Sequence, residues 1–189
     1  MKVKIFTMGM IAAAAVLSFS SCKKDKCENK TEYVYVHDTT IKPPAAIYTE
    51  LTGSLATQVL DSKKKYLIKG TVFVDDGAIL TIPAGTILCG EKATKGTLVI
   101  KKGGKLIAEG TASNPIIFTS NQVQGAREQG DWGGIVMLGK ANVNQNNPAI
   151  EGISPAANYG TFNSTANNSD NSGILKYVRI EYTGIALTP

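Results

Sequence analysis

Lys69-Gly70-Thr71-Val72-Phe73-Val74-Asp75-Asp76-Gly77-Ala78-Ile79-Leu80 recurs 26 residues later as Lys95-Gly96-Thr97-Leu98-Val99-Ile100-Lys101-Lys102-Gly103-Gly104-Lys105-Leu106. Just downstream, Ile82-Pro83-Ala84-Gly85-Thr86 matches Ile107-Ala108-Glu109-Gly110-Thr111 at an offset of 25. A fixed period of this size, built from short β-prone runs punctuated by glycine, is the mark of a solenoid. Apolar residues fall at matching places in successive repeats: Val72/Leu98, Val74/Ile100, Leu80/Leu106 and Ile82/Ile107. Stacking such rows buries a continuous core, and Gly77/Gly103 and Gly85/Gly110 mark the corners where the backbone must turn. A β-sandwich also has short strands between turns, but it does not require the repeat.

Working outward, strands are expected at Tyr66–Ile68, Val72–Val74, Ile79–Ile82, Thr86–Cys89, Leu98–Ile100, Lys105–Ala108 and Ile116–Thr119. Gly130-Asp131-Trp132-Gly133-Gly134-Ile135 opens a further coil. Residues 142–173, rich in Asn, Ser, Gly and Ala, read as a long loop leaving the stack. Ile174–Tyr182 resumes as one strand, with Lys176, Val178 and Ile180 on one face and Leu175, Tyr177, Arg179 and Glu181 on the other. Upstream, 45–65 is expected to cap the stack, so the β-helix domain spans 45–189 with coils over 66–189. No polar or helical segment follows Ile185-Ala186-Leu187, so the solenoid is expected to continue beyond Pro189.

The composition, 43% hydrophobic and 19% charged, is that of an ordinary globular chain. The formal charge is +5, but six of the twenty basic residues precede Thr31. Removing Lys2 and Lys4 with a leader leaves 18 basic against 15 acidic residues, or +3. That scattered excess gives no footprint for nucleic acid.

Residues 1–21 read as a signal peptide: Lys2 and Lys4, then an apolar run from Ile5 to Leu17, then Ser20 and Ser21. The run is shorter than the roughly 20 residues that span a bilayer. Phe19-Ser20-Ser21-Cys22 resembles a bacterial lipobox, which implies that Cys22 is lipidated and becomes the first mature residue. The simpler alternative is ordinary secretory cleavage that leaves Cys22 a free thiol. Residues 22–44 read as a flexible tether: charged up to Lys30, β-prone at Tyr33–Val36, and stiffened by Pro43-Pro44. Cys27 lies in that tether, and Cys89, at the end of an apolar strand, is expected to be buried and inert. His37 is the only histidine, and no Cys/His cluster suggests a metal or other cofactor.

The run from Lys69 to Ile87 is similar to a family of Bacteroidetes-type cell-envelope lipoproteins. So are Lys92–Leu98, Pro115–Ser120, Gly130–Ile135 and Leu175–Tyr182. The resemblance implies a right-handed parallel β-helix of the pectin-lyase type, and family members that continue past the equivalent of Pro189. It implies no agreed activity. Asp38-Thr39-Thr40 resembles an O-glycosylation acceptor of these bacteria, and reads equally well as plain linker.

β-helices host lyases and hydrolases, but fold alone does not establish chemistry. Glycoside hydrolysis needs two carboxylates at a set separation. Asp75 and Asp76 are adjacent, and their counterparts are Lys101 and Lys102, which reads as a solvated corner of variable charge. Arg179 and Glu181 read as a cross-coil ion pair on the outer face. Asp131 and Trp132 are the most site-like pair: the indole offers a face to a sugar ring and the carboxylate an acceptor for its hydroxyls. The simpler account packs Trp132 into the stack while Asp131 caps the turn. The expected function is binding or display of glycan or protein at the cell surface from a lipid-anchored, outer-membrane β-helix. The alternatives are a carbohydrate-active enzyme with its catalytic residues beyond Pro189, or a structural stalk.

Overall fold

The structure, a computed structural model, describes residues 47–188 and, ahead of them, the backbone of three strands. These are β1 (Lys4–Met8), β2 (Ala12–Ser18) and β3 (Thr31–Val36), in one antiparallel sheet ordered β1-β2-β3. The expected cleavage after Ser21 and lipidation of Cys22, together with Cys27, His37 and Asp38–Thr40, lie outside the described residues. The first 46 residues form a unit of their own, and Ile47 onward a second.

In the second unit every named strand pairing is parallel, as the internal repeat requires. The first coil is β4 (Thr49–Leu55) and β5 (Gln58–Val59); the second is β6 (Lys65–Val74) and β7 (Ile79–Ile82). The third is β8 (Ile87–Gly90), β9 (Thr97–Ile100) and β10 (Lys105–Glu109). The fourth takes β11 (Ile116–Ser120), β12 (Gly134–Met137) and β15 (Gly173–Lys176), and β16 (Val178–Ile180) opens the next. A small parallel pair, β13 (Asn142–Val143) and β14 (Thr161–Phe162), lies inside the long loop of the fourth coil.

Three flanks result. The first half of β6 pairs with β8, whereas its second half pairs with β9. Strands β4 and β6 therefore run through two flanks without a break, bending at Gly53 (φ 59°) and Gly70 (φ 64°). The first flank carries the early halves of β4 and β6, then β8, β11 and β16; the second carries their late halves, then β9 and β12. The third is the sheet β15-β10-β7-β5. Thr49–Leu55, in the stretch expected to cap the stack, is itself in parallel register with β6.

Inward residues stack in rows: Tyr66 and Leu88, Val72 and Leu98, Val74 and Ile100, Leu80 and Leu106, all buried. Each such side chain contributes roughly 1.5–3 kcal/mol through burial. Gly77 (φ 78°) and Gly103 (φ 90°) turn equivalent corners, and the Gly77 N–H donates to the Gly103 carbonyl at 3.2 Å.

Several expectations are corrected. Ile82 pairs with Ala108, not Ile107, because the 26-residue register runs through the whole strand. It is then broken by 110–115, so Ile87 meets Ile117. Ile174–Tyr182 is not one strand: Tyr177, at φ 48°, turns the corner between β15 on the third flank and β16 on the first. Lys101 lies 2.6 Å from Asp75, so the charge swap between coils is a stacked ion pair rather than free variation. The loop 142–173 does not leave the stack. It folds back so that Ile150, Ile153, Ala157 and Tyr159 pack on Phe73, Val99, Val136 and Leu138, the outward residues of the second flank.

Candidate functional site

The outward face of the first flank carries a groove. In-register pairing brings Lys65, Ile87, Ile117 and Arg179 into one row, because β6, β8, β11 and β16 present the same pleat position to solvent. The next row continues through Cys89, Thr119 and Glu181. Tyr48 at one side and Arg127 from the loop 121–133 complete a cavity of about 260 Å³. Its lining holds three cations, Lys65, Arg127 and Arg179, against one carboxylate, Glu181.

The charged groups are ordered by hydrogen bonds. Arg127 donates through Nε to the Gln122 carbonyl at 2.9 Å and through Nη1 to Thr119 Oγ1 at 3.3 Å. Thr119 Oγ1 in turn donates to Glu181 Oε2 at 3.0 Å. Arg179 pairs with Glu181 Oε1 along its own strand, so the expected cross-coil ion pair is instead an in-strand pair linked across coils by Thr119. Lys65 makes no ion pair among the described residues. Burial pushes the Cys89 thiol up, outweighing its hydrogen bond with Tyr48 and the nearby Arg127 and Lys65 charges. Cys89 thus sits neutral in the floor of the groove, buried as expected.

Asp131 and Trp132 are elsewhere. Trp132 is fully buried, stacked on Phe118 with ring centroids 6.4 Å apart and an interplanar angle of 10°. Its indole N–H donates to the Glu181 carbonyl at 2.7 Å, and it leaves no room for a side chain at Gly90. Asp131 is also fully buried. Its Oδ2 accepts from Ser120 Oγ at 2.6 Å and from the Glu128 N–H at 3.0 Å, while Lys92 Nζ stands 2.7 Å from Oδ1. Burial alone raises this carboxyl, but the Lys92, Ser120 and Glu128 contacts prevail and lower it from 3.8 to about 2. Neither residue presents a surface to a ligand, because each spends its polar atoms inside the coil. They clamp both ends of the loop that carries Arg127, and so shape the groove from behind.

Arg127 and Lys65 carried no motif, since only the parallel register brings them together. A pleat-position count along 87, 117 and 179 was the one available signal. Among the described residues no three of His, Cys, Asp and Glu gather.

Parallel strands wound in stacked coils, three flanks to a turn, make the second unit a parallel β-helix. The chain belongs to the family described as the pectate-lyase-like β-helix domain, whose model matches residues 53–189. No curated protein and no solved structure gave a significant match.

Proposed function

We propose that this protein is an envelope lipoprotein, held to the outer membrane by lipid on Cys22, whose β-helix binds an acidic glycan in the first-flank groove without cleaving it. The observation that carries this reading is the cationic lining: Lys65, Arg127 and Arg179 face one carboxylate across two coils edged by the half-buried Ile87 and Ile117. Guanidinium groups held in fixed orientation suit planar carboxylate or sulfate groups, and Ile87 and Ile117 offer apolar contact to a sugar ring. Retention without hydrolysis is supported by the acid inventory. Hydrolysis needs two carboxylates, whereas Glu181 stands alone in the groove and is already engaged by Arg179 and Thr119. The lipid reading rests on the cysteine after the apolar leader, and acyl chains contribute about 0.8 kcal/mol per buried methylene.

The test is retention on immobilised polygalacturonate and alginate, with dextran as the neutral comparison. The acidic polymers should retain the protein and dextran should not. Replacing both Lys65 and Arg179 with Ala should weaken retention at least tenfold, since each charged hydrogen bond is worth about 1.5–3 kcal/mol. Equal retention on dextran, or an unchanged double variant, removes the reading. Release of new sugar ends from either acidic polymer would favour the enzyme alternative. Intact mass of the envelope-extracted protein checks the anchor: acyl chains on a chain beginning at Cys22 are expected.

A further inference from the structure

The second flank carries a groove of the opposite electrostatic character. Where the loop 142–173 folds back, it leaves a cavity of about 610 Å³ between β12 and the loop. That volume lies within the roughly 300–1,000 Å³ typical of small-molecule sites. Val136 and Leu138 line it from the strand; Gln145, Ile150, Glu151 and Tyr159 line it from the loop.

The loop side is a built surface rather than a loose excursion. The Ile150 N–H donates to the Ala157 carbonyl at 3.0 Å, and the Tyr159 N–H to the Pro148 carbonyl at 3.0 Å. Asn158 Nδ2 adds bonds to the Asn147 and Pro148 carbonyls at 3.1 and 3.3 Å. Ile153 and Ala157 then root this hairpin in the apolar cluster on Phe73 and Val99. The apolar wall is therefore held from behind, with the half-buried Tyr159 ring as its aromatic part.

Three residues of the lining carry polar side chains with no hydrogen bond or ion pair among the described residues: Gln145, Glu151 and Tyr159. Together they offer acceptors from Glu151, donors and an acceptor from Gln145, and one hydroxyl of either sense. Glu151 is the only charged side chain in the lining, so an anion is repelled here. A ligand that fits has an apolar face for Val136 and Tyr159, a rim of hydroxyls for Glu151 and Gln145, and no negative charge.

We propose that this groove is a binding site for a neutral oligosaccharide, with Tyr159 as the stacking wall and Gln145 and Glu151 as the hydroxyl contacts. It is separate from the cationic groove of the first flank and stands without it. The two flanks then sort sugars by charge: acidic residues on one, neutral residues on the other.

The test is a titration of the ¹⁵N-labelled full chain with maltose, cellobiose and lactose, and with trilysine as a cationic peptide. At least one disaccharide should give saturable shifts at amides 136–139, 149–151 and 159. Tyr159→Ala should weaken that binding about tenfold, the loss of one stacking or hydrogen-bonding anchor. Glu151→Ala and Gln145→Ala, both at exposed positions, should each weaken it severalfold while the remaining amide spectrum stays that of the parent. The double Lys65 and Arg179 variant should bind the disaccharide as the parent does. No saturable shift with any disaccharide overturns the proposal, as does binding unchanged in both Glu151→Ala and Gln145→Ala. A response to trilysine alone also overturns it, assigning the groove to cationic peptide.

Discussion

Asp131→Asn isolates the charge of the clamp behind the cationic groove. The substitution keeps the size of the side chain and an oxygen for Ser120 and the Glu128 N–H, but removes the negative charge 2.7 Å from Lys92 Nζ. Lowering the carboxyl from 3.8 to about 2 corresponds to roughly 2 kcal/mol in favour of the folded state. Lys92 is 45% exposed, so solvent screens part of this, and about 1–2 kcal/mol is expected near neutral pH. The folded carboxyl titrates below the unfolded one, so the stabilisation is fully present above pH 3.8 and is lost as the pH falls through about 2. Urea unfolding of parent and variant at neutral pH and at steps down to pH 2 reads this directly. The gap between their midpoints should shrink as acid is added and nearly close at the bottom of the range. A gap that is absent at neutral pH, or that persists undiminished in acid, would refute the assignment of the charge to this clamp.

Gly90→Ala should lower stability by about 1–3 kcal/mol, because its new methyl falls on the Trp132 indole; in a Trp132→Ala background, unfolding curves should show much less of that loss. Lys101→Glu should destabilise modestly, and the further change Asp75→Lys should recover part of the loss. A double-mutant cycle should assign about 0.2–1 kcal/mol to this partly exposed pair. Cys89, buried and with its thiol pushed up by desolvation, should react slowly with thiol reagents at mildly alkaline pH. Tyr48→Ala should accelerate that reaction several-fold by opening the floor of the groove, as a timed labelling assay would show.

The repeat between Lys69 and Leu106 made the coil legible because a parallel stack places like residues over like residues, and that demand is written at one spacing. Legibility ended where the spacing did. The added residues at 110–115 shift the next row, and the chance likeness of Ile107–Thr111 to Ile82–Thr86 made Ile107 look equivalent to Ile82 although Ala108 occupies that place. Tyr177 hid a corner because a left-handed bend usually declares itself by Gly or Asn, and this one does not. The loop 142–173 looked like an excursion because its apolar residues are sparse; Ile150, Ile153 and Tyr159 suffice only because Phe73 and Val99 present an apolar outer face to receive them. Trp132 and Asp131 attracted a ligand reading by residue type alone. Burial decides such cases, and burial depends on Phe118, Gly90 and Lys92, which lie in other parts of the chain.

The corner between the first and second flanks lengthens along the stack. It is a bend inside β6 at Gly70, then the turn Glu91–Gly96 in the third coil, then 121–133 in the fourth. Register on either side is held by the neighbouring coils whatever the corner does, so β8 and β9 stay aligned with β6 across the change. This edge is therefore a natural graft position. Foreign peptides spliced in at Ala93, an exposed residue of that turn, can be varied as a library while the strands beneath them keep their alignment. A recognition surface built this way would be diversified one coil at a time.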